Sequence, residues 1–193
     1  MTSDPATTTL TELPLAAGVW TVDQNSSGVY FKLRHLGLAN VRGRFTRFDA
    51  TLVVGSTLAD TQVEATIETT SIDTAQPDRD AHLLGPEYLS AEQHPVATFR
   101  STGVRAIGES DFAVDGELTL NGVTRPVTLD VEFLGVEVFP GDGSTRAGFF
   151  AATNINRDEF GVDANMPLGL GKFALGKKVA VELELQFVAA RNS

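Results

Sequence analysis

The stretch Ser27–Arg44, S-G-V-Y-F-K-L-R-H-L-G-L-A-N-V-R-G-R, decides the fold of this chain. Apolar and polar side chains alternate along it in two runs, which are separated at Leu36–Asn40, where Gly and Asn supply turn chemistry. A period of two is typical of a half-buried β-strand, so the stretch predicts a β-hairpin. Its inner face is apolar apart from one histidine and comprises Val29, Phe31, Leu33, His35, Val41, Gly43 and Phe45. Its outer face is cationic and carries Lys32, Arg34, Arg42 and Arg44, with Arg47 nearby.

The same alternation recurs along most of the remaining sequence. The second strand of the hairpin is predicted to continue over residues 48–54, after a bulge near Thr46–Arg47 where the inward parity changes. Further strands are predicted over residues 19–22, 62–69, 97–105, 111–120, 126–138, 146–155 and 179–188. About eight long strands joined by short or Gly-rich turns predict an all-β domain, either an antiparallel barrel or a sandwich. We favour the barrel, because nearly every strand is apolar on one face and closure removes exposed sheet edges.

Two stretches, residues 71–95 and 156–177, lack the strand period. In the first, Pro77 can begin a helix and Gly85-Pro86 can end it, so one short helix is predicted over residues 78–84. A crossover of this length inside a compact domain is usually functional or a lid. The second stretch is rich in glycine but carries many apolar side chains, which indicates that it packs over another part of the protein.

Composition restricts the class of protein. A chain of 193 residues suits one domain, and its net charge of −10 argues against a protein that coats nucleic acid. The absence of cysteine excludes structural disulfides and thiolate catalysis. Residues 1–17 predict a disordered lead-in to a domain at 18–189. Because the lead-in has neither the basic start nor the apolar run of a signal peptide, we expect a cytoplasmic protein.

Several inward-facing positions carry small residues. They are Gly43, Ala65, Ala97 and Gly116, with Ala147 and Ala151 as further candidates. Small residues among inward Phe, Leu and Val predict a narrow apolar tube instead of a filled core. Each methylene-sized group of a guest contributes about 0.8 kcal/mol when it is buried. Such a tube can therefore bind an apolar guest without any bond-making chemistry.

Several short motifs occur along the chain in a fixed order and spacing. The motifs are W-T-V-D (20–23), S-S-G-V-Y-F-K-L-R-H (26–35), V-R-G-R-F (41–45), S-I-D-T (71–74), R-D-A-H-L (79–83), H-P-V-A-T-F (94–99), D-G-E-L-T-L-N-G-V-T-R-P-V (115–127) and N-R-D-E-F-G (156–161). Their order and spacing resemble the YceI-like family of lipid-binding proteins, and the resemblance runs from Trp20 to Phe187. It implies an extended, lipocalin-like, eight-stranded antiparallel β-barrel whose lumen holds a long polyisoprenoid or similar amphiphile. One departure is Ser26, where members often carry histidine.

Strand parity and the resemblance together give the candidate site. The predicted lipid-binding residues are Phe31, Leu33, His35, Phe45, Ile67, Phe99, Leu118, Leu129, Phe160 and Leu183. The predicted headgroup or rim residues are Arg79, Asp80, His82 and Arg157. An alternative for His35 is a rim histidine hydrogen-bonded to a neighbour. An alternative for the crossover residues is a self-contained network in which Asp80 accepts from Arg79 or Arg157.

Binding without catalysis is the leading prediction for function: storage or transport of an isoprenoid or similar lipid. No catalytic residue, cofactor or metal site is predicted, because the histidines lack metal-site spacing and no G-x-S-x-G motif occurs. The rival is an enzyme that acts on an apolar isoprenoid or quinone-type substrate in the same cavity, with His35, Asp80 or Arg157 as the working groups. A weaker third alternative is a structural module with a solid barrel.

The partner predictions concern the outer surface. No nucleic-acid partner is expected. The cationic face of the first hairpin is predicted either to pair with carboxylates on adjacent strands or to contact an anionic membrane. A homodimer of two barrels is a further alternative.

Overall fold

The computed structural model describes residues 12–191, which form thirteen strands and one α-helix. The strands are β1 (Gly18–Val22), β2 (Gly28–His35), β3 (Ala39–Phe45), β4 (Phe48–Val54), β5 (Gln62–Glu68), β6 (Ile72–Asp73), β7 (Val96–Ala106), β8 (Asp111–Leu120), β9 (Val123–Val138), β10 (Thr145–Asn156), β11 (Pro167–Gly169), β12 (Lys172–Phe173) and β13 (Lys178–Ala189). The helix α1 spans Pro77–Leu83, close to its predicted position. Short 3-10 turns occupy Gln24–Ser26, Leu58–Asp60, Thr69–Ser71 and Arg157–Phe160.

The main sheet closes into an antiparallel barrel, as predicted. Its strands follow the order β1-β4-β5-β7-β8-β9-β10-β13, and β1 returns to pair with β13. β1 and β2 pair with successive parts of β13 and together form one barrel strand. β3 and β4 pair with β2 and β1 and form the neighbouring barrel strand. Two of the eight barrel strands are therefore interrupted. The interruption between β3 and β4 falls at Thr46–Arg47, where the change of parity predicted a bulge.

The Ser27–Arg44 stretch forms the hairpin that the alternation indicated. Val29 pairs with Phe45, and His35 pairs with Ala39 at the tip. Leu36 and Gly37 make the turn with φ values of 55° and 71°, a left-handed conformation that glycine adopts readily and leucine does not. We call the end that carries this turn the upper end of the barrel and the end that carries the β7–β8 turn the lower end.

The lower half of the barrel is filled by its own side chains. Trp20 is 2% exposed and Phe112 is 1% exposed, and they pack in one cluster with Ala147, Phe149 and Phe187. The ring of Phe149 lies 5.3 Å from that of Phe133 and 5.9 Å from that of Phe187. The prediction that Ala147 borders open space is therefore wrong, because large neighbours occupy the volume beside it, whereas Ala151 does line a small space of about 80 Å³.

The folded domain begins before residue 18. Leu13 is 8% exposed and packs in the lower core, and the Trp20 indole donates a hydrogen bond of 3.0 Å to the Ala16 carbonyl. Residues 1–11 of the predicted lead-in lie outside the described residues. Within residues 12–191, no helix has the length and apolar character that crossing a bilayer requires.

Candidate functional site

The upper half of the barrel encloses an apolar cavity of about 460 Å³, which we call the upper cavity. Its walls are the inward faces of β2, β3, β5, β7, β8, β10 and β13, closed above by the 72–95 crossover and the 162–175 segment. Six of the ten predicted lipid-binding residues line it: Phe31, Leu33, His35, Phe45, Ile67 and Leu118. The parity of the strands positions them, because alternate side chains of one strand face the same side.

Leu129 and Leu183 line a second space, the lower cavity, of about 80 Å³. Its other walls include Phe112 and Phe149 from the lower core. These two leucines face the inside of the barrel, as predicted, but they lie below the upper cavity. Val29 of the upper cavity pairs with Leu183 of the lower one across neighbouring strands, so the two spaces are adjacent.

Phe99 does not line either cavity, contrary to the prediction. Its side chain covers Gly116, where an added Cβ would come within 2.6 Å of the ring. Leu118 of the same strand lines the upper cavity and Val114 lines the lower one, so Gly116 and the ring above it lie at the level between them. Phe99 therefore packs inside the barrel at the level between the two cavities, without lining either one.

Phe160 is a second predicted lining residue that lies outside both cavities. It is 1% exposed, at the end of the 3-10 turn Arg157–Phe160, and its carbonyl accepts a hydrogen bond of 3.1 Å from Asn121 Nδ2. Its side chain is buried but borders neither cavity. The prediction used the family motif N-R-D-E-F-G and had no strand parity to orient this side chain.

Five residues that line the upper cavity are exposed: Tyr30, His35, Arg79, His82 and Met166. The last four mark its mouth. The His82 ring meets the Tyr88 ring edge-on at 5.2 Å. Thr74, 6% exposed, holds the crossover in place: its hydroxyl accepts from Arg79 Nε at 2.8 Å and its carbonyl accepts from Arg79 Nη2 at 2.8 Å. Apart from its place in the S-I-D-T motif, nothing in the sequence indicated this role of Thr74.

Asp80 does not line the cavity, so its prediction as a rim residue is corrected. Its carboxylate accepts hydrogen bonds from the backbone N–H and the hydroxyl of Thr74. Asp80 and Arg79 thus share Thr74 as a common partner. This arrangement is close to the self-contained network that was the alternative prediction, with Thr74 as the link that the sequence did not reveal.

Arg157 lines the upper cavity and is only 5% exposed. It donates to three carbonyl oxygens: Nε to Gly176 at 2.9 Å, and Nη1 to Val162 at 2.6 Å and to Ala164 at 3.1 Å. These bonds hold the 162–176 segment over the lumen. Its Nη2 is buried and has no acceptor among residues 12–191. A buried charged donor without an acceptor is costly, so an acceptor in the cavity would be stabilised there.

The cationic outer face is largely neutralised by neighbouring strands. Lys32 Nζ lies 2.8 Å from Glu182, and Arg44 Nη2 lies 3.1 Å from Asp73. A hydrogen bond from Lys32, helped by its charge, lowers the pKa of Glu182. Arg47 pairs with Glu68. These contacts match the alternative in which the basic residues pair with adjacent carboxylates.

Further residues of the upper cavity come from the two stretches without strand period. They are Leu83, Tyr88, Leu89, Val162, Met166, Ala174 and Leu175. The apolar content of the second stretch indicated packing over another part of the protein, but no periodicity could orient individual side chains. In the described part of the chain, no three His, Asp or Glu side chains gather as metal ligands.

Comparison with known proteins gives one consistent result. The family profile of the YceI-like domain matches residues 20–187. Protein YceI of Escherichia coli O17:K52:H18 is 40% identical over 139 residues, which cover 72% of each chain. The crystal structure of Burkholderia cenocepacia BcnA superposes with a TM-score of 0.74 at 22% identity, over 86% of this chain and 98% of that one. A polyisoprenoid binding domain from Saccharophagus degradans, implicated in plant cell wall breakdown, superposes with a TM-score of 0.61 at 18% identity, over 89% and 98%.

Proposed function

This chain belongs to the YceI-like domain family, and on that basis we propose that it binds a long isoprenoid or similar amphiphilic lipid in the upper cavity, as a carrier or store and not as an enzyme. The observation that carries the proposal is an apolar chamber in the upper half of the barrel, with exposed residues at its mouth and a buried donor, Arg157 Nη2, that has no acceptor among residues 12–191. The Saccharophagus degradans domain supports the class of ligand, since it has the same fold and is described as polyisoprenoid-binding.

The volume of the cavity is consistent with part of a prenyl chain. If each methylene-sized group takes roughly 30 Å³, similar to one molecule of liquid water, about 460 Å³ holds on the order of 15 such groups. At about 0.8 kcal/mol for each group, the gross gain is roughly 12 kcal/mol, from which ordering the chain subtracts several. A chain of about three isoprene units fits, and the remainder of a longer chain would extend through the mouth.

The polar end of the ligand is assigned to Arg157. Its Nη2 needs an acceptor, and a phosphate, a carboxylate or a quinone carbonyl would each supply one. Charged donors make stronger hydrogen bonds than neutral ones, and a guanidinium favours planar or anionic oxygen acceptors. The proposed ligand therefore has an oxygen-bearing end group beside an apolar chain.

The arrangement gives less support to the enzyme alternative. Of its working groups, His35 and Arg157 line the cavity, whereas the Asp80 carboxylate is engaged by Thr74. A general base has to lie within hydrogen-bond reach of the proton that it removes, which Asp80 does not do here.

Mass spectrometry of an organic extract tests the proposal. We expect an isoprenoid lipid to copurify with the native protein at close to one per chain. A Leu118→Arg variant, which places a charge in the cavity, should be recovered without lipid. A Thr119→Arg variant adds the same charge on the outer face of the same strand and should keep its lipid. Lipid absent from the native protein, together with turnover of an isoprenoid substrate, would favour the enzyme instead.

A further inference from the structure

Two neighbouring hairpin tips at the upper end expose an unusual number of apolar side chains. The exposed fractions are 43% for Leu36, 82% for Leu38, 66% for Met166, 47% for Leu168, 99% for Leu170 and 50% for Phe173. We call these six residues the apolar tip. Leu36–Leu38 belong to the β2–β3 turn, and the others to the small hairpin of β11 and β12.

Backbone hydrogen bonds hold the two hairpins side by side. The Leu36 N–H donates to Ala174 O at 2.6 Å, and the Gly176 N–H donates to Arg34 O at 2.9 Å. Met166 belongs to the tip and also lines the upper cavity. The apolar tip is therefore continuous with the mouth of the lumen.

The side chain of Leu170 has no packing role that would explain it. It is 99% exposed and stands at a hairpin tip between Gly169 and Gly171, with φ 52°. A left-handed tip position suits glycine or asparagine, and an exposed leucine there gains nothing from the protein itself. Contact with another surface would bury this side chain.

Charge identifies the kind of surface. The segments 34–40 and 164–176 contain Arg34 and Lys172 and no Asp or Glu, in a chain whose net charge is −10. The lower end also exposes apolar side chains, Leu134 at 61% and Val138 at 59%, but it carries Glu109, Glu137 and Asp142 beside them. A surface with exposed apolar side chains, basic residues and no carboxylates is suited to binding an anionic bilayer. The apolar side chains enter the interfacial region and the basic side chains contact the headgroups.

We propose that the apolar tip docks the mouth of the barrel onto an anionic phospholipid bilayer, with Leu38 and Leu170 inserted. The proposal rests on the proposed function, since it gives the ligand a route between membrane and lumen. A second copy of the chain is a less suitable partner for the apolar tip than a bilayer. Stable protein interfaces use about 20–30 residues on each side, and six side chains on two narrow tips fall well short of that.

Flotation with vesicles of phosphatidylcholine and phosphatidylglycerol in equal amounts tests the proposal. We expect the native protein to float, and a Leu38→Ser/Leu170→Asn variant to bind at least about tenfold more weakly for each leucine lost. Asparagine tolerates the backbone of position 170, so the variant should fold. A Leu134→Ser/Val138→Ser variant changes two exposed apolar residues at the lower end and should float like the native protein.

The lipid content of the same variants separates the two proposals. The tip variant should still retain lipid in its lumen when it is loaded in detergent, because Leu38 and Leu170 do not line the cavity. If the native protein itself held no lipid in its lumen, that result would instead contradict the proposed function. Equal flotation of the native and tip variants, or a native dimer that the tip variant dissociates in sedimentation velocity, would overturn docking.

Discussion

The phenyl ring of Phe99 lies over Gly116, at the level between the upper cavity and the lower one. A Cβ at position 116 would come within 2.6 Å of both the ring and the Arg100 carbonyl oxygen. The glycine is therefore required by the close approach of an aromatic ring from the neighbouring strand. We expect this pair to limit the depth to which a guest can enter.

Replacing Phe99 with alanine should join the two cavities. The upper cavity of about 460 Å³ would gain the lower 80 Å³ and the volume of the lost ring, enough for roughly one more isoprene unit. We expect the lipid that copurifies to shift toward longer chains in mass spectrometry. The free energy of unfolding should fall by about 3–5 kcal/mol, the usual cost of removing a buried phenyl group.

Phe160→Ala is the matched control for this experiment. Phe160 is equally buried but lies outside both cavities, so its loss should lower stability to a similar degree without changing the length of the bound chain. If Phe160→Ala lengthens the bound lipid as much as Phe99→Ala does, the Phe99 side chain does not determine the length of the bound lipid chain.

Gly116→Ala should destabilise the barrel. The new methyl group meets a backbone oxygen, which cannot move away without disturbing β7, as well as the Phe99 ring. Overpacking of this kind costs about 1–3 kcal/mol. Thermal unfolding should show the loss, and combining Gly116→Ala with Phe99→Ala should recover part of it. A stability equal to that of the native protein would show that the ring does not occupy this space.

Arg157→Met should weaken the binding of an amphiphile that has an anionic end group. Hydrogen bonds to charged groups contribute about 1.5–3 kcal/mol, so the expected loss of affinity is on the order of tenfold to a hundredfold. A hydrocarbon of the same length should lose much less affinity. The measurement to compare is the ratio of the affinity lost for the anionic amphiphile to the affinity lost for the hydrocarbon, because any change in the 162–176 segment affects both ligands. Equal losses would mean that Arg157 acts only by holding that segment.

Stability should fall at acid pH, in part through Asp23. Partial burial acts to raise the pKa of Asp23, but hydrogen bonds from Ser26, the Asn25 N–H and Arg146 outweigh it, so the pKa lies below the ordinary 3.8. A lowered pKa in the folded state gives stability that is present above the unfolded-state pKa and is lost as pH falls through the folded-state value. Urea unfolding from neutral pH down to about 3 should show a shallower acid loss for Asp23→Asn than for the native protein. Identical slopes would contradict this contribution.

The alternation of residues allowed the strands and their inner faces to be predicted, because parity is a local property of an extended backbone. Phe31, Leu33 and Ile67 line the cavity for that reason. The shape of the cavity depends on contacts between strands, which parity does not specify. Gly43 and Gly116 looked like sources of empty space, yet Phe31 and Phe99 cover them, with ring carbons at 2.8 Å and 2.6 Å from the positions of an added Cβ.

The loops were harder to predict than the strands. The presence of Arg157 near the lumen followed from a family motif, but its three carbonyl partners lie in a segment without periodicity. The same holds for Thr74, whose partners become neighbours only when α1 folds back over β6. Such contacts depend on loop conformation, about which residue spacing says little.

The densely packed base of the barrel separates ligand exchange from folding. Because Trp20, Phe112 and Phe187 bury one another independently of the upper chamber, an empty protein keeps its main cooperative unit. Release and uptake then require only local opening of the crossover and the 162–176 segment. Turnover of cargo is therefore expected to be faster than global unfolding, and a mutation at the base can shorten the lifetime of the protein without altering how quickly it exchanges lipid.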